Sequence, residues 1–156
     1  GVSCKIPTNF LNRTMQSKRI LFVALFALLL STDGLLANYA FKKKVKSVCQ
    51  SYRVTVKSSQ FSLGEDEFSI ELESGRNNFE MFMLVGFAAA GQAIEHQIQL
   101  GLANAYTPEN VRISVLVPIP KGEIGIYVGT CSKQLAMELA NGTMESSEFM
   151  QKIKFE

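Results

Sequence analysis

The fold is decided by NNFEMFMLVGFAAAGQAIEHQIQLGLANAY, residues Asn77 to Tyr106. Apolar residues recur at Phe79, Met83, Phe87, Ala90, Ile94, Ile98, Leu102 and Ala105, the spacing of one helix face. Asn77, with Glu80 three residues on, predicts a capping box at the start. Thr107-Pro108 is expected to end the helix, because the residue before a proline is pushed out of the helical region. At about 1.5 Å per residue, a helix over 78–105 would be roughly 42 Å long. A domain of this size is only about 34 Å across. The helix is therefore expected to kink or break, at Gly86, Gly91 or Gly101, or to project at one end. Its halves differ in polarity. Met81, Phe82, Met83, Leu84, Val85, Phe87 and Ala88 leave the first half no polar face, whereas Gln92, Glu95, His96 and Gln99 give the second half one.

Strand patterns flank this helix. Upstream, Val48, Gln50, Tyr52, Val54 and Val56 alternate with Cys49, Ser51, Arg53, Thr55 and Lys57, and Phe61 and Leu63 continue the pattern irregularly. After the turn Gly64-Glu65-Asp66-Glu67, Phe68, Ile70 and Leu72 alternate with Ser69, Glu71 and Glu73, completing a hairpin. Downstream, Val111, Ile113, Val115 and Val117 form one strand. Ile124, Ile126 and Val128 form its return across Pro118-Ile119-Pro120-Lys121-Gly122, where neither proline suits a central ladder. Gly125 and Gly129 suggest a bulge or a close backbone approach. Ser132 is placed to cap a short helix carrying Leu135, Ala136, Leu139 and Ala140, ending at Asn141-Gly142. Phe149, Ile153 and Phe155 are read as a final edge strand, although Phe149 and Ile153 also fit a helical turn. The expected class is α+β: a mostly antiparallel sheet of four or five strands, order ββαββα with a final β, against one long and one short helix.

Residues 1–14 precede the first methionine and are read as upstream or non-native sequence. Met15 opens a basic Lys18-Arg19 segment, the apolar run Ile20–Leu30 and a small, polar tail ending at Ala37. That order is the signature of a secretory signal peptide over 15–37, cleaved after Ala37, so that the protein is exported to a periplasmic or extracellular space. The competing reading is an uncleaved anchor, which needs about 20 apolar residues and would bury Asp33 and Asn38. Residues 38–46 read as a basic linker whose Lys42, Lys43, Lys44 and Lys46 suit an anionic membrane surface, and 47–156 as the single folded domain. Charge is unevenly spread. From Ser47 to Glu156 there are 8 Lys and Arg against 13 Asp and Glu, a balance of −5 within a chain of net +2. A nucleic-acid binder carries its basic face on the folded part, so nucleic acid is not an expected partner.

Few side chains here suit catalysis. His96, the one histidine, lies on a polar helix stripe beside Glu95, and is read as solvated rather than as a base or metal ligand. Cys131, next to a helix start that would lower a thiol pKa, is a weak nucleophile candidate, with His96 as a conceivable partner. In an exported chain Cys131 is expected instead to pair with Cys49 in a disulfide. No ligand spacing for a metal is present, the carboxylates Glu65, Asp66 and Glu67 are too few and too contiguous for a calcium loop, and no cofactor is implied. Asn141-Gly142-Thr143 matches the glycosylation acceptor pattern. The functional expectation is a small non-enzymatic binding domain, with a secreted enzyme using Cys131 or His96 and a membrane-anchored subunit of a larger assembly as the alternatives. Its predicted surface is Met81, Phe82, Leu84, Val85 and Ala88, covered by a partner protein, a second copy or an apolar ligand.

Overall fold

The computed structural model describes residues 34–156. The expectations for Met15–Asp33, the apolar run included, lie outside the described residues. The first element, α1 over 34–51, is a helix, where a basic linker over 38–46 and the beginning of a strand at Val48 are expected. Ala37, Phe41, Val45, Val48 and Cys49 recur with helical spacing and are the residues α1 buries. Alternation from Val48 onward overlaps that spacing and masks it. Of the expected strand, only Val54 and Val56 are buried beyond the helix. They sit in an extended segment that joins no strand among the described residues, and Tyr52 is exposed.

The chain continues as β1 (Phe61–Leu63), β2 (Glu67–Glu73), α2 (Phe79–Leu100), β3 (Asn110–Pro118), β4 (Ile124–Ser132), α3 (Lys133–Asn141), α4 (Ser146–Lys152) and β5 (Lys154–Phe155). Among the described residues the five strands form one sheet in the order β1-β2-β3-β4-β5. Three pairings are antiparallel. The fourth, β2 with β3, is parallel, with Phe68 opposite Val111, Ile70 opposite Ile113 and Leu72 opposite Val115. The protein is thus α+β with a mixed sheet. A parallel pair needs a crossover connection, and α2 supplies it. The tail contains both readings in turn, one short helix and then a two-residue strand.

The long helix is shorter than its sequence pattern predicts. Its 22 residues at about 1.5 Å each span roughly 33 Å, the width of the domain. It stops at Gly101, which takes the left-handed conformation (φ 62) and donates its N–H to the Ile98 carbonyl, well before Pro108. The predicted capping box does not form. Asn78 is the N-cap but makes no side-chain cap bond, because its Oδ1 instead takes the Ser74 hydroxyl at 2.6 Å.

Gly86 and Gly91 are close-approach points within an unbroken helix. A Cβ on Gly86 would lie 2.9 Å from the Ile113 Cγ2 on β3. One on Gly91 would lie 2.1 Å from the Ala136 carbonyl oxygen on α3. All four described helices pack on one sheet face. Phe41 of α1 meets Phe68 edge-on at 4.7 Å, and Phe87 of α2 meets Phe149 of α4 at 5.2 Å. Gln97, fully buried, ties three segments together: its Nε2 donates to the Ala37 carbonyl (2.8 Å), and its Oε1 accepts from the Tyr106 N–H (3.0 Å).

Gly91→Ala must separate two helix backbones, and overpacking of this kind typically costs about 1–3 kcal/mol. Gly101→Ala meets open space and costs roughly 1 kcal/mol for the left-handed backbone alone. Denaturant melts of the two variants should fall in that order. Equal losses would show that α2 and α3 have room to part.

Candidate interaction surface

The residues predicted as a binding surface on α2 fall mostly inside the domain. Val85 is buried, while Phe82 and Leu84 are partly buried and packed against the core. Ala88 is partly exposed, and Met81 is 47% exposed. The apolar first half of α2 is covered largely by this chain's own sheet, α3 and α4.

His96 is partly exposed and lines a groove of about 430 Å³ between α1 and α2 with Tyr39, Ala40, Lys43, Lys44 and Ser47. Cys131 lies at the end of β4, buried. Burial pushes its thiol up to about 12, against a smaller lowering by a hydrogen bond with the Ala136 backbone. A thiol so protonated is a poor nucleophile at neutral pH, and no hydrogen bond joins it to His96 among the described residues. The expected disulfide is absent. Cys49 on α1 and Cys131 on β4 are both free, buried thiols, each packed in the apolar core, and burial raises Cys49 to about 11. Among the described residues no group of three or more His, Cys, Asp or Glu is placed to hold a metal ion.

What stands open is the other face of the sheet. Strand alternation groups Ile124, Ile126 and Val128 on one face of β4, and in the structure that face is the outward one. Gly125, Tyr127, Gly129 and Cys131 register with the buried Val117, Val115, Ile113 and Val111. Gly129 lies on this buried side because Met83 packs there, its sulfur 3.1 Å from where a Cβ would stand. Ile124 and Ile126 therefore turn outward, 67% and 64% exposed, with the partly exposed Leu116 opposite Ile126 on β3. The β2 half of this face is polar. Its rows run Ser62, Ser69, Arg112, Thr130, Lys154, and then Glu71, Ser114, Val128. Arg112 bridges Glu156 at 2.9 Å, yet its Nε and the neighbouring Thr130 Oγ1 are buried without a hydrogen-bond partner.

The two sheet edges are treated differently. Beyond the short β1, the Gln60 Nε2 donates to the Glu71 carbonyl at 2.6 Å, closing off the outer side of β2. On the other side, β5 pairs only with Gly129 and Thr130, and the Glu156 N–H reaches the Val128 carbonyl at 3.0 Å. Since backbone groups alternate in direction along a strand, Ile126 and Ile124 also turn theirs outward. From Ile124 to Tyr127 that edge meets no strand among the described residues. Beside it runs a groove of 450 Å³ lined by Phe79, Tyr127, Met150 and Phe155, with Phe79 and Tyr127 stacked at 3.9 Å. Comparison with known protein families, curated proteins and solved structures finds no match for this chain.

The buried thiols set an alkaline limit on stability. The folded chain keeps protons that an unfolded thiol, with a pKa of 9.0, releases, and it does so up to about 11 for Cys49 and about 12 for Cys131. That stabilisation is complete below pH 9.0 and is lost as pH rises through the folded values. Urea midpoints should be flat up to that pH and fall above it. A Cys49→Ala/Cys131→Ala variant should fall less steeply, leaving the smaller contribution of Tyr106, raised to about 12 chiefly by burial. An unchanged alkaline limb in the double variant would refute the assignment.

Proposed function

We propose that the protein is a non-enzymatic interaction domain, held at a membrane by its N-terminal apolar segment, that binds a protein partner on the uncovered half of its sheet. The observation that carries this is the pair Ile124 and Ile126, the exposed large hydrophobic residues of β4, on a strand whose outer edge there meets no other strand among the described residues. Soluble proteins blunt such edges, and an open edge with apolar side chains is the surface that strand addition uses. A second copy, pairing β4 against β4, is one such partner.

The membrane-held reading is favoured over a cleaved leader by α1. Ala37 is fully buried and its carbonyl holds the buried Gln97, so cutting after Ala37 would break the helix inside the fold. Among the described residues no helix is long and apolar enough to cross a membrane; the anchor proposed here is built on Ile20–Leu30 and extends to Leu36, the 17 residues before the buried Ala37.

Ile126→Asp and Ile124→Asp, on a surface already in water, should change stability by within about 0.5 kcal/mol. They should also abolish the concentration-dependent association or partner recovery seen with the parent in sedimentation and affinity capture. Retention of both by the two variants would remove the proposal. Mass spectrometry of the protein from its native membrane should find residues before Asn38 still attached. A mature chain beginning at Asn38 would return the leader to the cleaved class.

A further inference from the structure

We infer that the end of the domain formed by the first turns of α1 and the last turns of α2 lies on an anionic lipid surface. This rests on the membrane-held reading above. The two helix ends are neighbours, since the Gln97 side chain holds the Ala37 carbonyl. Together they expose Leu35, Leu36 and Tyr39 from α1, and Ile98, Leu100 and Leu102 from the end of α2 and the loop after it. Among the described residues, six of the eleven large exposed hydrophobics thus gather at one pole.

Two further observations identify what covers them. First, the apolar run Ile20–Leu30 ends in the sequence three residues before the described part of α1, so a chain anchored by that run brings this pole to the membrane. Second, along α1 the exposed Leu35, Leu36 and Tyr39 are followed, within roughly 16 Å of helix, by the exposed Lys43 and the partly exposed Lys42, Lys44 and Lys46, of which Lys46 also donates to the Ser58 hydroxyl. Apolar groups at acyl-boundary depth followed along the axis by cations at headgroup level is the order of a helix rising out of an anionic membrane surface, and each lysine near such a surface strengthens binding by roughly fivefold. None of these lysines forms an ion pair among the described residues, whose salt bridges involve Arg112, Lys133 and Lys152. Glu65, Asp66 and Glu109 lie at the same end of the sheet layer, exposed, with Glu109 bridged to Lys133. The contact is therefore one-sided: the α1 and α2 ends meet lipid, and the sheet layer tilts away.

The test uses the full chain in vesicles of phosphatidylcholine with or without phosphatidylglycerol. An environment-sensitive fluorophore is placed by Leu100→Cys or, at the opposite end of the sheet, by Glu73→Cys, each on a Cys4→Ser background. Expected are a blue shift and quenching by lipid-borne spin labels at position 100 but not at 73, dependent on phosphatidylglycerol. Lys42→Gln, Lys43→Gln, Lys44→Gln and Lys46→Gln combined should bring the signal at 100 down to the level at 73, with the chain still in the vesicle pellet. A chain that resists carbonate extraction while position 100 stays in water overturns the inference and leaves the anchor standing. A chain absent from the pellet overturns both. A fluorophore at 100 already shielded before vesicles are added also overturns it, because this chain or a second copy then covers the pole.

Discussion

The helix layer depends on how closely α2 and α3 meet at Gly91, where a carbonyl of one helix occupies the space a side chain would fill on the other. At that separation α3 shields one flank of α2, while Gly86 lets α2 settle onto Ile113 of β3. Met83 and Phe87 then reach β4 and α4. An apolar helix that would otherwise need an external partner is thereby largely enclosed by its own domain. At the opposite end of α2 the restraint is polar. Gln97 is buried with both ends of its amide bonded, and a buried amide left unsatisfied typically costs about 1–3 kcal/mol. Steric fit at Gly91 and hydrogen bonding at Gln97 between them place α1, α2, α3 and the approach to β3.

Much of this architecture is legible in the residues, and what is not fails for identifiable reasons. β2, β3 and the β3–β4 hairpin follow from period-two alternation with polar residues opposite, and α3 from the Ser132 cap, which accepts the Leu135 N–H. α1 is obscured because Val48, Val54 and Val56 satisfy a strand period while Ala37, Phe41, Val45 and Val48 satisfy a helical one. Only the core resolves the overlap, and the four lysines between Phe41 and Ser47 disguise the segment as a linker. The end of α2 is misplaced by giving Pro108 more weight than Gly101. At β4 the alternation is read correctly, but a pattern states only which residues share a face, not which face the helices cover. Large residues at Ile124 and Ile126 beside glycines at 125 and 129 suggest a core of isoleucines. The helices need the glycines instead, because Met83 and Ile153 occupy the space above Gly129. The surface residues on α2 are misjudged for a related reason, since a helix apolar all round announces burial without naming what buries it.

The chemistry available to this chain is that of surfaces. Its two described thiols are sealed in the core and held protonated, and its histidine stands among lysines rather than beside a nucleophile. Its charge is separated, with the basic excess of the described residues on α1 and the acidic excess on the body that follows. The exposed apolar side chains are likewise divided, between the outer end of β4 and the pole where α1 begins. A domain so arranged has one end suited to a fixed orientation and another left free to meet something else.

The parallel pairing of β2 with β3 also sets an order of assembly. Both hairpins are local: β1 with β2, and β3 with β4, close across short turns. The β2–β3 ladder joins residues on either side of the whole of α2, so its loop-closure entropy must be met before any contact in it forms. During synthesis β2 can gain its second neighbour only after β3 has been made, and the fifth strand, Lys154–Phe155, comes last.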